Sequence, residues 1–222
     1  MADRTPTSSQ YETTIDRLVG DLRPVRRLPP LSAALGAWVV VMVGVLAVTA
    51  SMLRPDLASH AGHLRFLGEL IGLAVATVLL GALALRSTQP DRTPEPWEQA
   101  LAATLAVLAI ASVASHAAAT SVSLGQFVTT GSGCAWGTIG FAIVPVALLL
   151  VAVQRGAPVQ PRVSGAFATG AGLVLAYLAM RLHCPSDDGA HLMVWHALPV
   201  AIGTIGGAVL GGRWLGRWSR RP

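Results

Sequence analysis

Two cysteines and six histidines are the residues of this sequence equipped for soft-ligand or redox chemistry. Cys134 stands alone, whereas Cys184 sits in the run Arg181-Leu-His-Cys-Pro-Ser-Asp-Asp-Gly-Ala-His, the chemically densest stretch of the chain, with His196 shortly beyond. Thiolate sulfur and imidazole nitrogen together suit zinc, cadmium or another thiophilic ion. Two thiols in an oxidising compartment also form a disulfide, provided their Cα atoms come within about 4.4–6.8 Å. A permanent bond tying two helix ends and a sensing pair therefore both fit, and the surrounding histidines favour sensing. Cys134 and Cys184 are the candidate redox or metal-sensing residues, with His183, His191, His196 and His116 as candidate ligands. Catalysis has little support, since neither HExxH, a nucleophile elbow nor CxxC occurs.

The elements that must position these side chains are set by apolarity. The chain has 222 residues, 53% hydrophobic and 12% charged, with a mean hydropathy of +0.58. Soluble domains carry about 25% charged residues, so an ordinary water-soluble globule is excluded. Apolar stretches at 33–53, 64–85, 98–119, 134–153, 164–182 and 195–214 each approach the roughly 20 residues that cross hydrocarbon. Polar residues and four acids precede the first stretch without an evident cleavage site, which reads as an anchor and not a removed signal. The expected fold is all-α, an integral membrane bundle of six transmembrane helices. It divides into a tail over 1–32, a transmembrane domain over 33–214 and a basic C-terminal tail over 215–222.

All 16 basic residues are arginine, and the net charge is +5. A basic balance suggests nucleic acid only if the charges share one exposed face. Instead, Arg4, Arg17, Arg23, Arg26 and Arg27 fall in the N-terminal tail and Arg86, Arg92, Arg155 and Arg162 in the second and fourth connections. Arg213, Arg217, Arg220 and Arg221 lie at the C-terminal end, and only Arg54, Arg65 and Arg181 lie opposite. The positive-inside rule then places both termini in the cytoplasm and every histidine and cysteine at the outer face. Direct nucleic-acid binding is not expected; membrane lipids are.

Glu69 is an acid within an apolar stretch, and Arg65 four residues earlier offers a local ion pair. Asp187 and Asp188 are placed to cap the helix that follows them, and His191 and Trp195, four apart, share a helical face. Gly203, Gly207 and Gly211 form a row that lets a neighbouring helix approach, and Gly68 with Gly72 repeats the spacing. Pro145 and Pro199 interrupt their spans.

On the cytoplasmic side, residues 7–22 place Ile15, Leu18, Val19 and Leu22 on one stripe of a short helix, with Arg17 and Arg23 beside it. Such a helix docks in a partner's groove or lies on the bilayer. Its acids weigh against simple membrane adhesion.

The tail Asp16-Arg-Leu-Val-Gly-Asp-Leu-Arg-Pro-Val-Arg-Arg-Leu, the isolated Cys134, Leu182-His-Cys-Pro, and Val194-Trp-His before a glycine-rich last span together resemble the NrsF family of inner-membrane anti-sigma factors. Where members of that family often carry Trp-Tyr, this chain has Trp195-His196. The resemblance implies a protein that holds an extracytoplasmic-function sigma factor at the cytoplasmic face of the bacterial inner membrane. It further implies release under stress, heavy-metal stress included, with Cys134 and Cys184 as the signal-sensing pair. The expected function is therefore a non-enzymatic anti-sigma factor whose tail residues Ile15, Leu18, Val19, Leu22, Arg17 and Arg23 bind the sigma factor. No resident cofactor is expected; a thiophilic divalent ion is a candidate signal. A small metal-ion or thiol transporter that captures its cargo at the outer His/Cys cluster is the competing expectation, although it more often shows several midspan ionisable groups.

Overall fold

A computed structural model of the protein describes residues 8–20, 27–114, 123–156 and 158–216. Every regular element among them is helical: α1 (Ser8–Gly20), α2 (Leu31–Ala50), the single-turn α3 (Leu57–His60), α4 (Leu64–Arg86), α5 (Pro96–Ala114), α6 (Leu124–Arg155), α7 (Pro161–His183), α8 (Gly189–Leu192) and α9 (Leu198–Trp214), with one 3₁₀ turn at Pro90–Arg92. A π-helical turn, Met193–Ala197, joins α8 to α9. Five stretches among the described residues are long and apolar enough to cross a membrane: α2, α4, α6, α7 and the run Gly189–Trp214. The expected third span corresponds to α5, whose first turn carries Trp97, Glu98 and Gln99 and which is described as far as Ala114. Five helices thus meet the measure where six were expected.

Two boundaries differ from expectation. The connection expected before Cys134 is helical from Leu124, because Ser123 caps the helix by accepting a hydrogen bond from the Gln126 amide. Cys134 therefore stands about 15 Å along α6 and not at its start, at 1.5 Å per residue. The last helix likewise begins at Gly189 instead of Trp195, since the Asp188 carboxylate accepts from the Ala190 and His191 amides. Only one of the two expected capping acids has that role.

α7 is the hub, packed against α4, α6 and α9 and more lightly against α2. Its composition explains this. Gly165 and Gly172 leave room for a neighbour's backbone: a Cβ on Gly165 would meet the Gly207 carbonyl and lie 2.8 Å from the Gly211 Cα, and one on Gly172 would lie 2.9 Å from the Val146 amide nitrogen. The glycine row on α9 thus meets α7 as its spacing implied, through Gly207 and Gly211, while Gly203 accommodates Leu173. The second pair divides: Gly72 faces Ala109 on α5, whereas Gly68 has open space beside it. Ala102, Ala106 and Ala109 give α5 a small-residue face toward α4. On α2, Trp38, Met42 and Thr49 form the buried row; the Trp38 indole lies over Gly81 and its N–H donates to the Thr77 carbonyl at 3.4 Å. The opposite faces of these helices carry exposed Val, Leu and Ile, as lipid-facing surfaces do.

Candidate functional site

At the end of the bundle where α2 and α7 finish and α4 and α8 begin, three elements converge on a thiol–imidazole cluster. α6 supplies Cys134, the segment after α7 supplies Cys184, and the last helix supplies His191 and His196. The two sulfurs are 3.6 Å apart, and Cys184 Sγ is 3.6 Å from His191 Nε2. One ligand atom from each of the four residues lies within 4.8 Å of all the others. Cys184, His191 and His196 are buried, and Cys134 is partly open.

The surroundings fix the rings. Thr138, one turn after Cys134, donates its only hydroxyl proton to the Cys134 carbonyl at 3.0 Å and lies 3.2 Å from His196 Nδ1. Nδ1–H of His196 must then be the donor to that oxygen, leaving a lone pair on Nε2. That buried Nε2 has no hydrogen-bond partner among the described residues. Tyr177 stacks on His196 with ring centres 5.7 Å apart, and Phe127 packs edge-on against His191 and tilted against Trp195. Hydrogen bonds from the Cys134 thiol and then from His191 hold the Cys184 thiol below its ordinary range, against the opposing effect of burial.

A second, ionic cluster adjoins the first. The buried Arg54 guanidinium donates to both carboxylate oxygens of Asp56, both of Asp187 and the Pro185 carbonyl, at 2.7–3.0 Å. Arg181 donates to Asp187 at 3.0 Å and to Glu69 at 2.9 Å, and His60 Nε2 lies 3.0 Å from Asp187. The Phe66 ring faces both guanidinium groups, at 5.9 and 5.1 Å. Burial alone would raise the Asp187 pKa, but the donors from Arg54 and Arg181 hold it well below the carboxylate range. The Arg54 guanidinium likewise lowers Asp56 to about 2. The segment bearing Cys184 is thereby clamped to the α2–α3 connection, a clamp completed by the Arg54 amide donating to the Leu182 carbonyl.

This arrangement changes one sequence expectation. Glu69 pairs most closely with Arg181 on α7; Arg65, the local partner expected, is farther away at 3.7 Å. Helix spacing finds local pairs but not partners across the bundle. Of the candidate ligands, His191 and His196 join the cysteines, whereas His183 places Nδ1 against the Met52 carbonyl. His116 lies outside the described residues, as do Leu22 and Arg23 of the tail stripe. The remaining stripe on α1 is present: Ile15, Leu18 and Val19 are each more than half exposed, and Tyr11, one turn earlier, extends it. Arg17 stands in the last turn of α1. Thr138, Tyr177 and Arg54 were missed in the sequence. Thr138 had a signal, its position one helical turn from Cys134.

Membrane-length apolar helices around a buried thiol–imidazole cluster define a multi-helix bundle compatible with a multi-pass membrane protein, with the cysteines and histidines of the described residues gathered at one end. Its sequence belongs to the NrsF family, described as "Negative regulator of sigma F", which matches residues 18–218. The family description is that of a regulator, with a sigma factor as its partner. No significant match exists among curated proteins or solved structures.

Proposed function

We propose that this protein is an anti-sigma factor of the bacterial inner membrane that holds an extracytoplasmic-function sigma factor through its N-terminal segment. The observation that carries the reading is α1: a helix with Tyr11, Ile15, Leu18 and Val19 on one exposed stripe, an apolar face that none of the described residues covers. Arg17 and Arg23 flank the stripe, and Leu22 extends it in sequence. With α5 as a sixth span, both termini fall on the arginine-rich side, which the positive-inside rule assigns to the cytoplasm. Cys134 and Cys184 then stand at the periplasmic face and read a metal or redox signal. A ligand shifts such a regulator only by binding its holding and releasing states unequally. The Arg54 clamp gives that shift a path, because it ties the Cys184 segment to α2, the span that follows the tail.

The test is Leu18→Asp with Val19→Asp in the full-length protein, since charges on the stripe leave the bundle untouched. Loss of co-purifying extracytoplasmic-function sigma factor, with constitutive sigma-dependent transcription and normal membrane levels of the variant, is the expected result. Undiminished co-purification would sink the docking assignment. For transport, the competing reading, the described spans offer little: the buried arginines Arg54 and Arg181 and the buried Glu69 gather at one end in ion pairs.

A further inference from the structure

The geometry points to a closed, four-ligand site in which Cys134, Cys184, His191 and His196 take one divalent d10 ion of thiophilic character, Zn²⁺ or Cd²⁺. The inference rests on the reading above only in taking the same outer site, and it goes further by naming a complete ligand set. Three independent observations carry it.

The first is metric. For zinc–sulfur bonds of about 2.3 Å and zinc–nitrogen bonds of about 2.0–2.1 Å, a tetrahedron has edges of about 3.8 Å between sulfurs and about 3.5–3.6 Å between sulfur and nitrogen. The corresponding separations here are 3.6 Å for both. Two of the six edges thus match an occupied tetrahedron, and all four ligand atoms lie within 4.8 Å of one another.

The second is the π turn. Residues five apart on an α-helix point about 140° away from each other at 3.6 residues per turn, so His191 and His196 could not share an ion on a regular helix. The widened turn at Met193–Ala197, closed by the Leu198 amide donating to the Met193 carbonyl, brings the two rings to 5.5 Å. Pro199 sets this turn in place. It has no N–H for the Trp195 carbonyl, so the α-helical bond is missing where the helix widens.

The third is the buried Nε2 of His196, without a hydrogen-bond partner among the described residues while Thr138 occupies Nδ1. A ligating imidazole is held in this way, with its other nitrogen bonded to a fixed group. Two thiolates and two neutral imidazoles around a divalent ion sum to zero charge, which suits a site closed off from water. Both sulfurs ligate as thiolates, so loading releases to solvent any proton they still carry. Cys134, the one partly open ligand, is the point of exchange.

The experiment titrates Co²⁺ and then Zn²⁺ into the reduced full-length protein in detergent. One ion per chain is expected, with a tetrahedral Co²⁺ spectrum carrying thiolate charge transfer, and a higher melting temperature with Zn²⁺ than with Mg²⁺. Cys184→Ser should weaken the thiolate band, and Cys134→Ser with Cys184→Ser should abolish it. His191→Gln, His196→Gln and Pro199→Ala should each weaken binding by at least about 10–100-fold, the range found even for outer partners of ligands. Thr138→Val should fall within that range at unchanged stoichiometry, and His63→Gln and His183→Gln should leave affinity unchanged. Pro199→Ala keeps all four ligands, so it tests their arrangement even if a ligand variant fails to fold. Binding that survives both histidine substitutions, an octahedral spectrum, or a protein that forms the Cys134–Cys184 disulfide and takes up no ion would overturn the proposal. Sigma-factor co-purification reports separately on the anti-sigma reading, so either can fail alone.

Discussion

Removing the cross-helix pair Glu69–Arg181 one side at a time should expose the energetics of the cysteine end of the bundle. Both side chains are 1% exposed, and their 2.9 Å bond joins α4 to α7. Deleting one partner of a buried pair costs about 3–5 kcal/mol, chiefly because the other charge is left in a poorly solvating interior. The structure makes the two halves unequal. In Glu69→Leu, Arg181 keeps Asp187 at 3.0 Å, which places the cost near the lower bound of about 3 kcal/mol. In Arg181→Met, Glu69 loses its closest partner, Arg65 standing farther off at 3.7 Å, and Phe66 loses one of its two cations, which places it near the upper bound of about 5 kcal/mol. Asp187 survives either change on the two bonds from Arg54. The double variant replaces both charges with apolar groups of similar length and should be less destabilised than the single costs sum to, with a coupling of about 2–3 kcal/mol. Titrating dodecyl sulfate into detergent-solubilised protein, followed by tryptophan fluorescence, measures all three. Additivity within about 0.5 kcal/mol would refute the pairing as an energetic unit.

Gly207→Val drives a branched side chain into Thr169 and the Gly165 carbonyl and should cost at least the roughly 1–3 kcal/mol of an overpacked core. Gly68→Ala, in open space, should stay within about 0.5 kcal/mol of the parent; equal melting temperatures for the two variants would contradict the α7–α9 contact. Acid should weaken the Arg54 clamp with a defined sign. The folded-state pKa of Asp56 is lowered from 3.8 to about 2, and that of Asp187 is lowered too, so their contribution is complete above pH 3.8 and lost as pH falls toward 2. A melting-temperature profile from pH 7 to 2 should decline in that window for the parent and be flatter there for Arg54→Gln, and an unchanged acid decline in the variant would count against the clamp.

Much of this architecture is legible in the sequence because a bilayer imposes a coarse rule, about 20 apolar residues per crossing, and long helices obey it whatever their partners. The glycine row at 203, 207 and 211 is legible for a similar reason: small residues four apart have one packing use. What escapes is whatever depends on a second element. Leu124–Gly133 looks like a connection because its glycines and threonines are poor helix formers, and only the Ser123 cap and packing of Phe127 and Gly131 against Trp195 carry the helix through it. Arg54 and Arg181 look like minority charges on the less basic side; their carboxylate partners come from three different connections and helices. The π turn is the subtlest case. Pro199 was visible as an interruption, yet that it brings His191 beside His196 follows only from the direction in which the helix widens.

The central position of α7 also bears on how the protein is made. It is less apolar than α2, α4 and α6, and 89% of its membrane-length window is covered by the rest of the chain. Its face of Gly165, Thr169 and Gly172 suits helix backbone far better than acyl chains, and Arg181 finds Glu69 only through α4. As a solitary segment leaving the insertion machinery, it is the helix least at home in lipid. It can settle beside α4 and α6, which precede it, but the groove it shares with Gly207 and Gly211 stays open until the last helix is synthesised. Completion of the chain is thus the step that closes the bundle and delivers both histidines to the cysteines already waiting there.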